Sequence, residues 1–194
     1  DHWLVDPLDG TKGFIEGTGQ FTINLALMHA GKPVFGLISH PVTGEIYLTA
    51  KGGAYCVKQD GSWQQLGEVS YNGPLRVVMG PTRKNYSDMI LHQELGLLAA
   101  SPRISHIDYC SSALKFTRLL QGTSDVYPGL RPTMEWDIAA GHALLQAIGG
   151  EIYKASGEVE NYGKDNWLNG PIFALRDKAH YPMLQELVEE ISVA

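Results

Sequence analysis

WLVDPLDGTKGF, residues 3–14, runs from an apolar segment into a turn that holds two aspartates. Trp3–Val5 has the pattern of a short buried strand that ends at Asp6, and the four glycines within residues 7–20 indicate a loop. Asp6 and Asp9 are therefore expected together at the carboxyl end of a strand.

Two carboxylates this close repel each other as anions, so a positive partner is expected. Lys12 is the only cation nearby in the sequence, and a hard divalent cation such as Mg²⁺ prefers oxygen ligands. The Leu8 carbonyl between the two aspartates offers a further oxygen. The stretch thus predicts a magnesium site at Asp6 and Asp9.

The next two residues, Gly10 and Thr11, add backbone N–H groups and a hydroxyl that suit a phosphate oxygen. The alternative is a plain turn, because Asp, Pro and Gly are favoured in turns for backbone reasons alone.

A second acidic cluster lies in TMEWDIAAGHA, residues 133–143. Asp137 is placed at the start of a predicted helix, where it can add a third carboxylate to the metal site. The alternative is a capping role, since carboxylates stabilise helix N-termini. Glu135 and Trp136 precede it, and Trp136 could form the wall of a pocket.

The composition is that of an ordinary globular protein with 194 residues, 44% hydrophobic residues and a net charge of −6. The negative charge argues against a nonspecific nucleic-acid binder but allows a small anionic substrate. Two cysteines without a CxxC pair indicate reduced thiols and a cytoplasmic location. No apolar run reaches the 18 residues that a membrane span requires.

The rest of the chain predicts a layered α/β fold without an internal linker, so we expect residues 1–194 to form a single unit. Residues 21–50 read as an antiparallel meander. Helices are expected at residues 85–98, 135–148 and 180–193, and at SSALKFTRLLQG with Ser112 as its N-cap.

The chain opens on Asp1 directly before a core strand. We interpret this as an N-terminally truncated sequence. The alternative is a tag removed one residue before a true domain start.

WLVDPLDGTKGF followed by EWDIAAGHALLQAIGG resembles the paired signature of the inositol monophosphatase superfamily of Mg²⁺-dependent, lithium-sensitive phosphatases. The two motifs look like D-P-[ILV]-D-G-[ST] and W-D-x-A-[AG]-G. The resemblance implies an α-β-α-β-α sandwich like that of inositol monophosphatase and fructose-1,6-bisphosphatase, of which this chain is the C-terminal portion. SSALKF, DVYP and NWLNGPIFAL are most similar to the 3′(2′),5′-bisphosphate nucleotidases, which hydrolyse adenosine 3′,5′-bisphosphate to AMP and phosphate.

The resemblance also implies a role for individual residues around two or three Mg²⁺ ions. Asp6 would bridge two ions, the Leu8 carbonyl would bind the first, and Asp9 and Asp137 would bind the second. Catalysis would rest on Asp6 and on Thr11, which would orient the attacking water. The implied substrate-binding residues are Gly10, Thr11, Ser112, Lys115, Arg131 and Asp137. Gly10 and Thr11 would hold the reacting phosphate, and Ser112, Lys115 and Arg131 the non-reacting 5′-phosphate.

Two departures from the family pattern leave alternatives open. The family's upstream G-E-E-like motif, which supplies a metal ligand and the partner of the catalytic threonine, is not in this sequence. Gly129 stands where the nucleotidases carry an arginine after YP, and Arg131 follows two positions later, so that Arg131 is either its replacement or a solvated surface cation. The other readings are an inositol or sugar-phosphate phosphatase, or a fragment that binds phosphate or metal without turnover and acts through oligomerisation.

Overall fold

The computed structural model describes residues 1–67, 71, 73–81 and 101–186. The helix predicted at 85–98 lies outside the described residues, as does the end of the helix predicted at 180–193. Residues 181–186, at the start of the latter, are helical.

The first sheet is a six-stranded antiparallel meander in chain order, which confirms the prediction for residues 21–50. Its turns fall at the expected places, and Gly31 and Gly44 both adopt a positive φ there. The strands are β1 (His2–Asp9), β2 (Thr22–His29), β3 (Lys32–His40), β4 (Glu45–Ala50), β5 (Gly53–Val57) and β6 (Trp63–Leu66).

Strand β1 does not end at Asp6 as predicted but continues to Asp9, and the residues after it form a helix, α1 (Thr11–Ile15), where a loop was predicted. Asp6 pairs with Asn24 and Asp9 with Thr22, so three steps on β1 match two steps on β2. In a regular strand, residues three apart point to opposite faces. The extra residue of this bulge turns Asp6 and Asp9 to the same face.

The second sheet is mixed, with strand order β11-β13-β9-β7-β8. Strand β7 runs parallel to both of its neighbours, while β9, β13 and β11 pair antiparallel. Its strands are β7 (Leu75–Met79), β8 (Ile104–Tyr109), β9 (Val126–Gly129), β11 (Glu151–Lys154) and β13 (Ile172–Leu175), and a separate two-stranded ladder joins β10 (Thr133–Met134) to β12 (Leu168–Asn169).

Two helices, α2 (Leu114–Leu120) and α3 (Glu135–Gln146), lie between the two sheets. Helix α3 packs on β1, β2 and β3 on one side and on β11 on the other, and it also contacts α2. Glycine makes this packing close: a Cβ at Gly36 would lie 2.2 Å from the Ala140 carbonyl oxygen, and one at Gly141 would lie 2.3 Å from the Phe116 ring. The small residues of α3 therefore bring its first turn against the bulged end of β1.

A fourth layer begins at residues 181–186, where Leu184 packs with Leu75 and Val77 on the far side of the second sheet. The described residues thus form a β-α-β-α stack, in agreement with the predicted layered α/β class. The outer face of the first sheet exposes Trp3 by 54% and Val5 by 48%.

Candidate functional site

Three carboxylates meet where the bulge of β1 faces the first turn of α3. One oxygen from each of Asp6, Asp9 and Asp137 lies within 4.8 Å of the others, the one such acidic cluster in the part of the chain that the structure describes. Asp137 is the third residue of α3, and its Oδ2 accepts a hydrogen bond from the Met134 backbone N–H at 2.7 Å. Asp137 is therefore both a helix cap and a member of the cluster, so the two readings of this residue are compatible.

The cluster is short of positive charge. Burial, together with the negative charges of Asp9 and Asp6, raises the pKa of Asp137 to about 6, although the hydrogen bond from the Met134 N–H opposes this shift. Burial also raises the pKa of Asp9, although the Lys115 ammonium and the Asn24 side chain oppose this shift. Three half-buried carboxylates, of which Asp9 and Asp137 have a raised pKa, fit a hard divalent cation such as Mg²⁺, which would stabilise the anions.

Lys115 on α2 lies beside these carboxylates. Its Nζ donates to the Ser112 carbonyl oxygen at 2.5 Å and lies 5.1 Å from the centre of the Tyr127 ring. Burial lowers the pKa of Lys115, and the charges of Asp9 and Asp137 act in the opposite direction. The Lys115 ammonium therefore interacts electrostatically with the acidic cluster.

Ser112 is not the N-cap of α2, so this prediction is wrong. The helix begins at Leu114 with Ala113 as its cap residue, and Ser112 Oγ lies 3.5 Å from the Leu114 backbone nitrogen. Ser112 has a φ of 56°, a conformation that non-glycine residues adopt rarely. This bend places the Ser112 carbonyl within reach of the Lys115 side chain.

The residues after Asp9 turn sharply at Gly10, which has a φ of 87°. A Cβ at Gly10 would lie 2.6 Å from the Gln20 carbonyl oxygen, so only glycine fits there without a rearrangement. The exposed Thr11 follows, and its Oγ1 donates to the Leu8 carbonyl oxygen at 3.2 Å. The turn thus couples the Thr11 hydroxyl to a carbonyl that is predicted to be a metal ligand.

A cavity of about 680 Å³ opens from this cluster between the two sheets. The cavity is lined by the predicted residues Asp9, Gly10, Thr11, Ser112, Lys115, Arg131 and Asp137, whereas Asp6 and Leu8, on β1, do not line it. Gly129 also lines it, and a Cβ there would lie 2.7 Å from Ile172 Cγ1. A larger side chain at Gly129 would require Ile172 to move, whereas Arg131 extends from the following loop.

Trp136, which could have formed a pocket wall, does not line this cavity. Trp136 packs against the main hydrophobic core instead. Its neighbour Glu135 is fully buried and also does not line the cavity. The Glu135 carboxylate accepts hydrogen bonds from the backbone N–H groups of Gly163 and Lys164 at 3.0 and 2.9 Å. Glu135 and Asp137 therefore serve different roles. Glu135 holds a loop in place through hydrogen bonds, and Asp137 faces the acidic cluster.

Sequence reasoning missed three residues at the site: Thr22, Asn24 and Tyr127. Thr22 Oγ1 and Asn24 Nδ2 both donate to Asp9 Oδ2, at 3.4 and 3.1 Å. Tyr127 is buried under the Lys115 ammonium, and burial raises the pKa of its hydroxyl. A signal for the first two was available, because both occupy inward positions of β2 that are apolar further along the strand.

A sequence model described as the inositol monophosphatase family matches residues 1–192. The chain belongs to this family. Its fold and its two motifs agree with the resemblance inferred from residues 3–14 and 135–150.

Curated members of the family give a finer comparison. The chain is 36% identical over 169 residues to proteins named 3′(2′),5′-bisphosphate nucleotidase CysQ from Shigella flexneri and Escherichia coli (strain K12). The matched part is 87% of this chain and 65% of each relative, so the chain spans about two thirds of the length of these family members.

Solved structures of the family share the fold. CysQ from Bacteroides thetaiotaomicron superposes with a TM-score of 0.75 at 32% identity, over 89% of this chain and 69% of that one. Mycobacterium tuberculosis SuhB superposes with a TM-score of 0.78 at 19% identity, over 97% and 72%. The second likeness concerns the fold alone.

Proposed function

We propose that this protein is a Mg²⁺-dependent phosphomonoesterase that hydrolyses adenosine 3′,5′-bisphosphate to AMP and phosphate. The observation that supports it most is the meeting of Asp6, Asp9 and Asp137 beside a cavity that also holds Lys115 and Arg131. Carboxylates suit a cation that binds phosphate, and the two basic side chains suit further negative charge on the same substrate.

Asp6, Asp9, Asp137 and the Leu8 carbonyl are the residues that would hold Mg²⁺. All four donors are oxygens, and the carboxylates lack a full complement of positive partners, which fits this ion. When bound, two or three such ions supply an acidified water molecule and neutralise phosphate oxygens. Inhibition by Li⁺ is expected from the family resemblance.

The turn at Gly10 and Thr11 would position the reacting phosphate and the water. Thr11 donates to the Leu8 carbonyl oxygen and is exposed to the cavity, so its hydroxyl oxygen can accept a hydrogen bond from a water molecule. The backbone N–H groups of Gly10 and Thr11 would hold phosphate oxygens.

The other end of the substrate would lie toward Ser112, Lys115 and Arg131. Ammonium and guanidinium groups form charge-assisted hydrogen bonds with phosphate. Lys115 also interacts electrostatically with Asp9 and Asp137, so a substrate without the 5′-phosphate is needed to measure its contribution to the 5′-phosphate separately. A nucleotide substrate is in keeping with the names of the 36% identical relatives.

An inositol or sugar-phosphate phosphatase remains the second candidate, because the same carboxylates would serve either substrate. Gly129 favours it, since the arginine that the nucleotidases carry after YP is absent from this chain. A protein that binds phosphate or metal without turnover is the third candidate.

Phosphate release from two substrates distinguishes these candidates. We expect kcat/KM for adenosine 3′,5′-bisphosphate to exceed that for inositol 1-phosphate in the presence of Mg²⁺. An equal or reversed preference would contradict the nucleotidase assignment, and binding of both compounds without phosphate release would favour the third candidate.

Lys115→Ala tests the 5′-phosphate contact. We expect it to raise KM for adenosine 3′,5′-bisphosphate about tenfold or more, the loss of one charge-assisted contact of roughly 1.5–3 kcal/mol. KM for 3′-AMP, which has no 5′-phosphate, should change little, and the exposed Lys58→Ala should leave both values unchanged. Arg131→Ala should act like Lys115→Ala but more weakly. Equal losses on both substrates would show that Lys115 serves the metal site or the fold instead.

The partner that we propose is a small phosphorylated molecule. Within the described residues no helix has both the length and the apolar character needed to cross a membrane. Cys56 and Cys110 are buried and unpaired, which is in keeping with the proposed cytoplasmic location.

A further inference from the structure

The inward-facing residues of strand β2 change from polar to apolar along the strand. Ala26 and Met28 are buried against the core, whereas the two preceding inward positions, Thr22 and Asn24, are buried and polar. These two residues pair with Asp9 and Asp6 across the bulge of β1. The polar half of the strand therefore lies directly beside the acidic cluster.

Asn24 holds one oxygen of Asp9. Its Nδ2 donates to Asp9 Oδ2 at 3.1 Å, and Thr22 Oγ1 donates to the same oxygen at 3.4 Å. Neither side chain donates to Oδ1. Because two donors converge on Oδ2, the carboxylate plane is fixed and Oδ1 is directed away from β2.

This arrangement costs stability. Asn24 is 1% exposed, and its own Oδ1 has no hydrogen-bond partner among the described residues. A buried, unpaired carbonyl costs about 1–3 kcal/mol, and an apolar side chain of similar volume would avoid this cost. The amide cannot rotate to relieve it, since a carboxylate at Asp9 only accepts hydrogen bonds.

We propose that Asn24 is a positioning residue for the metal site, which orients the Asp9 carboxylate so that Oδ1 faces the cation. The inference rests on the cation site of the proposed function. Asn24 can do this because its amide donates a hydrogen bond without carrying a positive charge. A lysine or arginine would bind Asp9 more strongly, but its charge would compete with the cation.

Mg²⁺ titration calorimetry on the intact protein tests this role without any substrate. Residues that hold a metal ligand in place typically contribute 10–100-fold to metal affinity. We therefore expect Asn24→Leu to raise the Kd for Mg²⁺ at least tenfold. Its melting temperature in EDTA should match that of the wild type, because removal of the unpaired Asn24 carbonyl offsets the hydrogen bond that Asp9 loses. Met28→Leu, on the same face of the same strand, should leave the Kd unchanged.

A purely structural role of Asn24 would not produce weaker metal binding together with undiminished metal-free stability. An unchanged Kd in Asn24→Leu, or a Kd that rises equally in Met28→Leu, would overturn the proposal. If Asn24→Leu does not fold, Asn24→Ala replaces it with the same expected rise in Kd. A wild type that binds Mg²⁺ but does not hydrolyse the bisphosphate would contradict only the proposed function, whereas a wild type that binds no Mg²⁺ would contradict both.

Discussion

Asp137 is a carboxylate that destabilises the folded protein when no cation is bound. Its pKa is about 6 in the folded chain, against 3.8 for an unperturbed aspartate, and burial is the main cause. Between these two values the folded state binds more protons than the unfolded state. The free energy of unfolding of the metal-free protein therefore falls as pH rises through this range and stays lowered above it.

Asp137→Asn should stabilise the metal-free protein at pH 8 by on the order of 1–2 kcal/mol, allowing for solvent screening of a partly exposed group. Asparagine removes the charge but keeps an oxygen that can accept the Met134 N–H. Urea unfolding in EDTA measures the difference, which should shrink as pH falls from 8 to 5. A loss of stability at pH 8 would show that the charge of Asp137 is already compensated within the protein.

Mg²⁺ binding should show the opposite pH dependence to metal-free stability. A proton on Asp137 competes with the cation, so the apparent Kd for Mg²⁺ should rise as pH falls below about 6. Calorimetric titrations at pH 5.5, 6.5 and 7.5 measure this. The same Kd at all three values would place the cation away from Asp137.

Helix α3 is anchored by a buried ion cluster at its first residue. Lys164 Nζ lies 3.3 Å from Glu135 Oε1 and 2.9 Å from Glu160 Oε1, and both carboxylates are buried. Asn169 also accepts from Lys164 Nζ, at 2.9 Å. The cluster holds the segment that precedes β12 against the start of α3, two residues before Asp137.

Glu135→Gln should lower the free energy of unfolding by about 3 kcal/mol or more, because it leaves charged groups buried without their full set of partners. Glu158→Gln is the matched control, since Glu158 pairs with Lys154 at 3.3 Å but its side chain is 73% exposed. The control should change stability by less than about 1 kcal/mol. Equal effects in chemical denaturation would contradict the anchoring role of Glu135.

Local sequence patterns predicted the elements better than they predicted the site's details. Alternating apolar residues and turn residues were sufficient to predict the meander. Small residues followed by a glycine pair were sufficient to predict α3. The bulge between Asp6 and Asp9 depends on the pairing of β1 with β2, which no local pattern encodes. For the same reason the contact between Asn24 and Asp9, fifteen residues apart, required the structure.

The outer face of the first sheet carries an apolar surface that includes the exposed side chains of Trp3 and Val5. Neighbouring strands align Trp3 with Leu27 and Phe35, and Val5 with Leu25 and Leu37. Single exposed apolar residues are common, but a continuous patch favours association. Helix α3 packs on both sheets and α2 packs on the second sheet, although the treatment of residues 1–194 as one unit stays a prediction.

Residues 1–194 in isolation should therefore self-associate through this face. We expect light scattering to show an apparent mass that rises with protein concentration. The double variant Trp3→Lys, Val5→Lys should reduce that rise, whereas Val159→Lys, at another exposed site, should not. A concentration-independent monomer mass for the unsubstituted chain would contradict the prediction.

The most direct test of the central claim is phosphate release from adenosine 3′,5′-bisphosphate by the intact protein, measured with Mg²⁺ and with EDTA. The three carboxylates are the only strong candidates for a cation site among the described residues, so activity should require Mg²⁺. Asp6→Asn should abolish nearly all of that activity while the protein remains folded. Phosphate release that persists in EDTA, or in a folded Asp6→Asn variant at the wild-type rate, would contradict the account.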